Sequence, residues 1–359
     1  ASFTTNGASL YDFSATQTAG AGDTVQVSGA FNVSNVLTVA AGNTLEFAGN
    51  TVNASGSLSN EGTIRFRGDE TSTAFPADNN TGTVVYYGAA GSNVYGPLAG
   101  GDSYFNLLIE DSVDADDSWT LDAALDVNGT FTVQNAVFDD GANTINAAGD
   151  TNLSAATLTA SGTLIFDGTA AFNLGANTIT NLQIGTAAAG AAVTATSGLD
   201  IDGSLTADGT NNPTLDISNR TVTVAGDVNL SGLSTLTATS TTFTLDGGAA
   251  QVFTGGALSY GALSVTNTSA GGVTMTGSPT FTTITVDGTQ PSVLQIGSAV
   301  AGATVSATSA TGTDDVVVAG TLRLHGEAAA DVTLSLANGS QLNNSAAGGL
   351  GIIVSDSTN

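Results

Sequence analysis

Apolar and polar residues alternate along the chain in short runs, and glycine punctuates the runs. The pattern apolar-x-apolar-x-Gly-x-apolar-x-apolar occurs as VQVSGAFNV from Val25, LDVNGTFTV from Leu125, LDIDGSLTA from Leu199, VTVAGDVNL from Val222 and VVVAGTLRL from Val316. Period-2 alternation predicts strands, and a central glycine marks a place where positive φ or close backbone approach is needed, so each copy predicts two short strands hinged at a corner. A hairpin of this size would carry a two-residue Asn-Gly or Gly-X loop, which only some copies offer. A second pattern, Thr followed by an alternating run and closed by Gly, occurs as TIRFRG from Thr63, TVVYYG from Thr83, TLIFDG from Thr163 and TFTLDG from Thr242. The steps 163 − 83 = 80 and 242 − 163 = 79, echoed by NLLI from Asn106, NLQI from Asn181 and ALSV from Ala262, predict a longer unit of about 80 residues that recurs with drift.

A third signal is stronger. LQIGTAAAGAAVTATS (182–197) and LQIGSAVAGATVSATS (294–309) match at 12 of 16 positions, at an offset of 294 − 182 = 112. Internal repetition of short strands with Gly corners predicts an all-β fold, a parallel β-solenoid, in which the chain coils on itself and each turn stacks on the last. With a turn of roughly 20 residues and a rise of about 4.8 Å, the expectation is about 18 turns and a rod of roughly 80 Å. The alternative is a string of antiparallel β-sandwich modules, which the scarcity of hairpin turns and the small Ala, Val, Leu and Thr side chains disfavour. No break in composition separates domains, so residues 1–359 are read as one domain with a looser N-terminal part; 96–101 and 348–351 are the Gly-rich stretches.

Composition adds exclusions. The 359 residues include 46 Gly, 5 Pro, no Cys and 10% charged residues, with 41% hydrophobic residues. The chain is too apolar for disorder and long enough for a large core. The net charge is 4 − 31 = −27, and the four cations are Arg65, Arg67, Arg220 and Arg323. So few cations cannot displace counterions from a phosphate backbone or hold anionic lipid, which argues against nucleic-acid and membrane-surface partners. Without Cys there are no disulfides, thiolate metal sites or thiol catalysis, and without Lys no Schiff base or lysine isopeptide staple. No apolar stretch reaches the roughly 18 residues of a membrane span. An acidic, Lys-free, Ser/Thr/Asn/Gly-rich chain suits the cell surface, and Ala1 is read as a mature terminus left by removal of a secretion signal.

The segments FNLLIEDS, WTLDAALDVNGTFTV, GTLIFDGTAAFNL and ITNLQIG resemble the degenerate repeats of large secreted bacterial surface proteins, the filamentous-haemagglutinin-like and autotransporter-passenger-like β-solenoids. The resemblance covers most of the chain and implies fold and location more than activity. Such relatives are often much longer adhesins, and a chain of this size looks more like a building block.

Candidate chemistry is sparse. Asp116-Asp117, Asp139-Asp140 and Asp314-Asp315 are adjacent carboxylates, and the single histidine, His325, follows Arg323 by two residues. Glycoside hydrolysis needs two carboxylates across one cleft, whereas neighbours on a strand point to opposite faces. No Gly-x-Ser-x-Gly elbow, P-loop or dinucleotide fingerprint is present, so no catalytic or cofactor-binding residue is assigned. Asp111, Asp114, Asp116 and Asp117 form a candidate calcium site, because hard cations gather several oxygens, although neither an EF-hand nor a nonapeptide spacing is present. Asp200, Asp202 and Asp208 form a weaker cluster. Arg67-Gly68-Asp69 spells a cell-attachment tripeptide at a place where Gly-Asp is also an ordinary turn. Asn-x-Ser/Thr sequons at Asn32, Asn53, Asn128, Asn229 and Asn338 permit glycosylation, and Trp119, Tyr86, Tyr87, Tyr95 and Tyr104 are either a sugar platform or packing, with packing favoured.

The expected function is assembly. A solenoid has two open ends, which monomeric examples cover with a helix or polar cap. Neither is apparent in ASFTTNGASLYDF or GGLGIIVSDSTN, whose apolar residues are Phe3, Leu10 and Phe13 at one end and Leu350, Ile352 and Val354 at the other. Residues 1–13 and 348–359 are therefore the expected strand-exchanging or stacking ends of an extracellular filament or surface-layer subunit, whose partners are copies of itself. An adhesin that binds glycans or other cells is the alternative, and a polysaccharide-acting enzyme a weaker one.

Overall fold

The computed structural model describes residues 2–5, 8–16, 22–96, 98, 103–288, 292–298, 303–308, 315–326, 332–336, 342–344 and 352–356. Among them there is no helix, and the strands stack as a parallel β-solenoid of about 14 turns. The chain divides into two compact units, residues 1–165 with 173–177 and residues 166–172 with 178–359.

In the first unit the long strand Phe31–Val39 lies between Ser9–Ala15 on one side and Val52–Ala54 with Ser57–Asn60 on the other, all parallel. Its inward residues Phe31, Val33, Leu37 and Val39 are at most 2% exposed, with polar residues between them, as period-2 alternation requires. The core carries a file of rings that the small-residue composition did not suggest. Phe3, Phe13, Phe31, Phe47, Phe66 and Tyr86 follow one another at centroid distances of 5.1, 5.1, 5.4, 5.1 and 5.4 Å. Phe66 and Tyr86 are register partners and the Phe47 N–H donates to the Arg65 carbonyl beside Phe66, but Phe3, Phe13 and Phe31 are registered with Val27, Leu37 and Val52, so these rings meet across the core and not along one column.

In the second unit parallel registry stacks a mostly aliphatic column. Leu199, Val222, Phe243, Leu263, Ile284 and Val316 are in direct register on successive rungs, and none is more than 2% exposed. Each such side chain contributes about 1.5–3 kcal/mol relative to exposure, so every turn adds its own stabilisation and depends mainly on its neighbours.

Four of the five corner glycines, Gly129, Gly203, Gly226 and Gly320, answer to close approach, whereas Gly29 has a left-handed φ of 97° and open space around it. Asn106 Oδ1 accepts hydrogen bonds from the Thr130 N–H at 2.8 Å and hydroxyl at 3.0 Å; Asn181 Oδ1 does the same for Ser204 at 2.9 and 2.9 Å. A Cβ on Gly129 or Gly203 would lie 2.4 or 2.5 Å from those same amide oxygens. The Asn of one turn and the Gly of the next are thus one device, and they link the NLLI and NLQI motifs to the Gly corners.

Every registered pairing is parallel, which excludes the antiparallel sandwich. The 16-residue repeat maps onto the coil: Leu182 leads through Leu205, Val228, Phe253 and Met275 to Ile296, placing the two LQI strands five turns apart in one column. In both copies the Gln amide donates to the glycine carbonyl, at 2.8 Å for Gln183–Gly185 and 3.1 Å for Gln295–Gly297, and both glycines adopt left-handed φ, 78° and 82°. The 80-residue recurrence does not map in this way. Val84 leads through Leu107 and Phe131 to Thr151, so three turns beyond TVVYYG the column has reached Thr151 and not the copy at Thr163. Turn length varies too much for such a period: register steps run from 19 residues at Thr44–Thr63 to 32 at Ile284–Val316. The same variation reduces the expected 18 turns to about 14, a mean near 359/14 ≈ 26 residues.

Candidate functional site

The acidic segment is a built loop. Asp111 is 2% exposed and Asp117 is fully buried, while Asp114 and Asp116 face solvent. Asp111 Oδ1 accepts the N–H groups of Val113 and Asp114 at 2.9 and 3.2 Å, and Oδ2 those of Asp116 and Asp117 at 2.8 and 3.1 Å. Burial pushes this carboxyl up, but the four donors outweigh it and hold it below the usual carboxylate range. Asp117 Oδ1 accepts the backbone N–H and the amide of Asn93, both at 2.8 Å, and Oδ2 accepts the Ala89 N–H at 2.9 Å, so it ties the loop to the preceding turn. Asp114 accepts the Gly91 N–H at 2.7 Å. Asp116 is pushed up by desolvation and by Asp114, Asp111 and Asp117.

One carboxylate oxygen each from Asp111, Asp116 and Asp117 lies within 4.8 Å of the others, which is close enough for one cation. Asp114 is not part of that set. Both oxygens of Asp111 already carry two N–H donors, which occupy both in-plane lone pairs of each oxygen. What the geometry provides directly is an anion held by peptide dipoles, a way of ordering an irregular loop without an ion.

The other groups singled out by sequence resolve as follows. Arg67 and Asp69 pair with each other, Nε to Oδ1 at 2.8 Å and Nη2 to Oδ2 at 2.6 Å, and Glu70 accepts the N–H groups of Gly49, Arg67 and Gly68 at 2.7, 2.7 and 2.8 Å. The tripeptide is a closed turn whose charges face one another, and its Asp69 carboxyl is lowered first by the Arg67 hydrogen bond. Asp116 faces out and Asp117 in; Asp140, 5% exposed, accepts N–H groups from Ala142, Ser161 and Gly162 while Asp139 accepts that of Gly141. Asp139 and Asp140 thus take separate donors, whereas Asp116 and Asp117, one exposed and one buried, still bring one oxygen each within 4.8 Å of the other. Asp314 lies outside the described residues. His325 is half-buried at the end of strand Thr321–Gly326.

Asp200 and Asp202 approach Asp246, which burial and then these two charges push up; Asp208 instead accepts its own loop's Thr210 N–H at 2.9 Å. Trp119, Tyr86, Tyr95 and Tyr104 are core residues at 0, 3, 6 and 2% exposure, and half-buried Tyr87 is covered by Arg65, 4.6 Å from its ring centroid. These rings pack and offer no sugar platform. Among the sequons, Asn128 and Asn229 are exposed, Asn32 and Asn53 are half-buried, and Asn338 lies outside the described residues.

The terminal rungs remain. Phe3, Leu10 and Phe13 are half-buried, yet their register partners Val27, Val33 and Leu37 are 1, 2 and 1% exposed. Strands Ser2–Phe3 and Ser9–Ala15 have a partner on one side only among the described residues. At the other extreme of the chain, in the second unit, Val332 and Leu334 are half-buried and Leu336 and Leu342 are 37 and 38% exposed. Their partners Ala303, Val305, Ala307 and Val316 are at most 4% exposed. Strands Val332–Leu336, Leu342–Asn344 and Ile352–Asp356 likewise have no partner on their far side among the described residues. Ile352 and Val354 lie in the last of these, in register with Leu322 and Leu324 of their own chain, while Leu350 lies outside the described residues. Sequence reasoning missed Val332, Leu334, Leu336 and Leu342, although the alternation of VTLSL signalled an inward face. No family model, curated protein or solved structure matches the chain.

Proposed function

We propose that this chain is a structural, non-enzymatic building block of an extracellular filament or surface layer, and that it lengthens by setting the first rung of one copy on the last rung of the next. The observation that carries the reading is the matched pair of open rungs. Each presents a strand edge with no partner among the described residues, together with inward apolar residues left partly uncovered, while the rung beneath is sealed. Unpaired strand edges recruit further strands. Because every registered strand is parallel, the first rung of a second copy continues the last rung of the first in the same sense, and a contact between two different surfaces propagates instead of closing as a two-fold dimer.

A supporting feature is the acidic, cysteine-free composition suited to the cell exterior. Electron microscopy of the purified chain tests the reading. Threads are expected at micromolar concentration, and Phe13→Asp or Leu334→Asp, each placing a charge at a rung edge, is expected to leave short particles. Threads unaffected by both substitutions would overturn edge stacking.

A further inference from the structure

Between Val228 and Val286 the only charged residue is Asp246, in a chain that carries 31 acidic residues. That neutral stretch contains a groove of about 680 Å³ in the second unit. It opens where a ladder breaks. Strand Thr235–Thr237 pairs with Thr214–Asp216 beneath it, but the segment one turn later does not pair back to it. Instead Ser259 bridges to Thr280, with the Thr280 N–H donating to the Leu258 carbonyl at 2.8 Å and the Tyr260 N–H to the Thr280 carbonyl at 2.9 Å. Among the described residues the far edge of Thr235–Thr237 is therefore an open strand edge inside a concavity.

Of the lining hydroxyls, that of buried Thr241 donates to the Ile217 carbonyl of the preceding turn at 2.7 Å. The exposed hydroxyls of Thr237, Thr239, Ser240, Thr242, Ser259 and Thr282 have no partner among the described residues and stand open to a ligand. Ser240, on the rim, holds a left-handed φ of 54°, a conformation that non-glycine residues keep at a cost and that recurs at ligand sites. Leu236, Ala238 and the threonine methyls supply apolar contact beside these hydroxyls.

We propose that this groove binds a neutral polysaccharide. A sugar ring presents C–H faces and a rim of hydroxyls that both donate and accept, which matches methyls set among free hydroxyls and an unpaired backbone edge. No charged side chain lines the groove to offer a counter-ion to an anionic ligand, and the −27 charge of the chain repels one. The assignment is independent of end stacking.

Native electrophoresis of the full chain through gels containing laminarin, dextran, soluble mannan or alginate tests it. At least one neutral polymer is expected to retard the chain, and alginate is not. Thr237→Asp with Thr239→Asp should weaken retardation at least tenfold, Ser240→Gly should weaken it without disturbing the backbone, and Thr194→Asp, on an exposed strand position elsewhere, should leave it unchanged. No retardation by any neutral polymer, retardation that survives the groove substitutions, or groove substitutions that alter only self-association in sedimentation would each overturn the proposal.

Discussion

Replacing Asp111 with Ala removes the acceptor for four N–H groups at once. Three of the donors belong to Val113, Asp114 and Asp116, which are exposed and can turn to water, so each costs a net of about 0.5–1.5 kcal/mol. The fourth belongs to fully buried Asp117 and has no water to turn to, which costs about 1–3 kcal/mol. The loop should therefore lose roughly 3–7 kcal/mol, enough to open it while the rest of the coil stays folded, because solenoid turns depend mainly on their neighbours. Hydrogen exchange read by mass spectrometry over residues 112–118 measures this directly. Wild-type amides at 113, 114, 116 and 117 are expected to be protected and to lose that protection in Asp111→Ala, with an intermediate loss in Asp111→Asn, which keeps one accepting oxygen.

The pH dependence has a definite sign. The folded carboxyl of Asp111 lies below its unfolded value, so its contribution is present above the ordinary carboxylate range and is lost as the pH falls through the lowered value. Asp116 shifts the opposite way, so its protonation, at higher pH than that of Asp111, relieves repulsion before the loop opens. Chelation should leave wild-type protection unchanged. Protection of Asp117 that survives Asp111→Ala, or that vanishes with a chelator, would refute the account of an anion held by peptide dipoles.

Other outcomes are expected from packing. Gly203→Ala should destabilise by about 1–3 kcal/mol, because its Cβ would lie 2.5 Å from Asn181 Oδ1, whereas Gly248→Ala, with nothing nearer than 3.9 Å, should be neutral within about 0.5 kcal/mol; thermal melts of the pair compare them. Phe31→Ala, at a fully buried site in the ring file, should cost about 3–5 kcal/mol and half-buried Phe3→Ala distinctly less, read as midpoints in guanidinium. Asp69→Asn should free Arg67 and loosen the 67–70 turn with an effect under about 1 kcal/mol, since the pair is exposed.

Much of the fold was legible because its rules are local. Alternation named the inward residues, glycine named the corners, and the LQIG repeat marked one strand column five turns apart. The long-range period was not legible, because columns are set by turn lengths that vary from 19 to 32 residues, and motif spacing along the chain does not follow them. The ring file escaped notice because Phe13, Phe31 and Phe47 are distant in sequence and are not register partners, so they meet only across the folded core. The acidic segment was recognised by composition, but its order was not. Aspartate accepts N–H groups a few residues ahead, as Asp111 does from Val113 and Asp114, and that habit was the available clue. The groove depends on a pairing that fails at Thr235–Thr237, which no motif records, although the run around it, with Asp246 as its one charge, can be read directly.

End stacking is tested most directly by cryo-electron microscopy of the assembled chain. The account gives threads in which strands lie across the axis and rungs repeat at about 4.8 Å without interruption through each junction, with Phe3, Leu10 and Phe13 of one copy against Leu334 and Leu336 of the next. Single particles at every concentration, or threads whose copies meet side by side with both terminal rungs exposed, would contradict it.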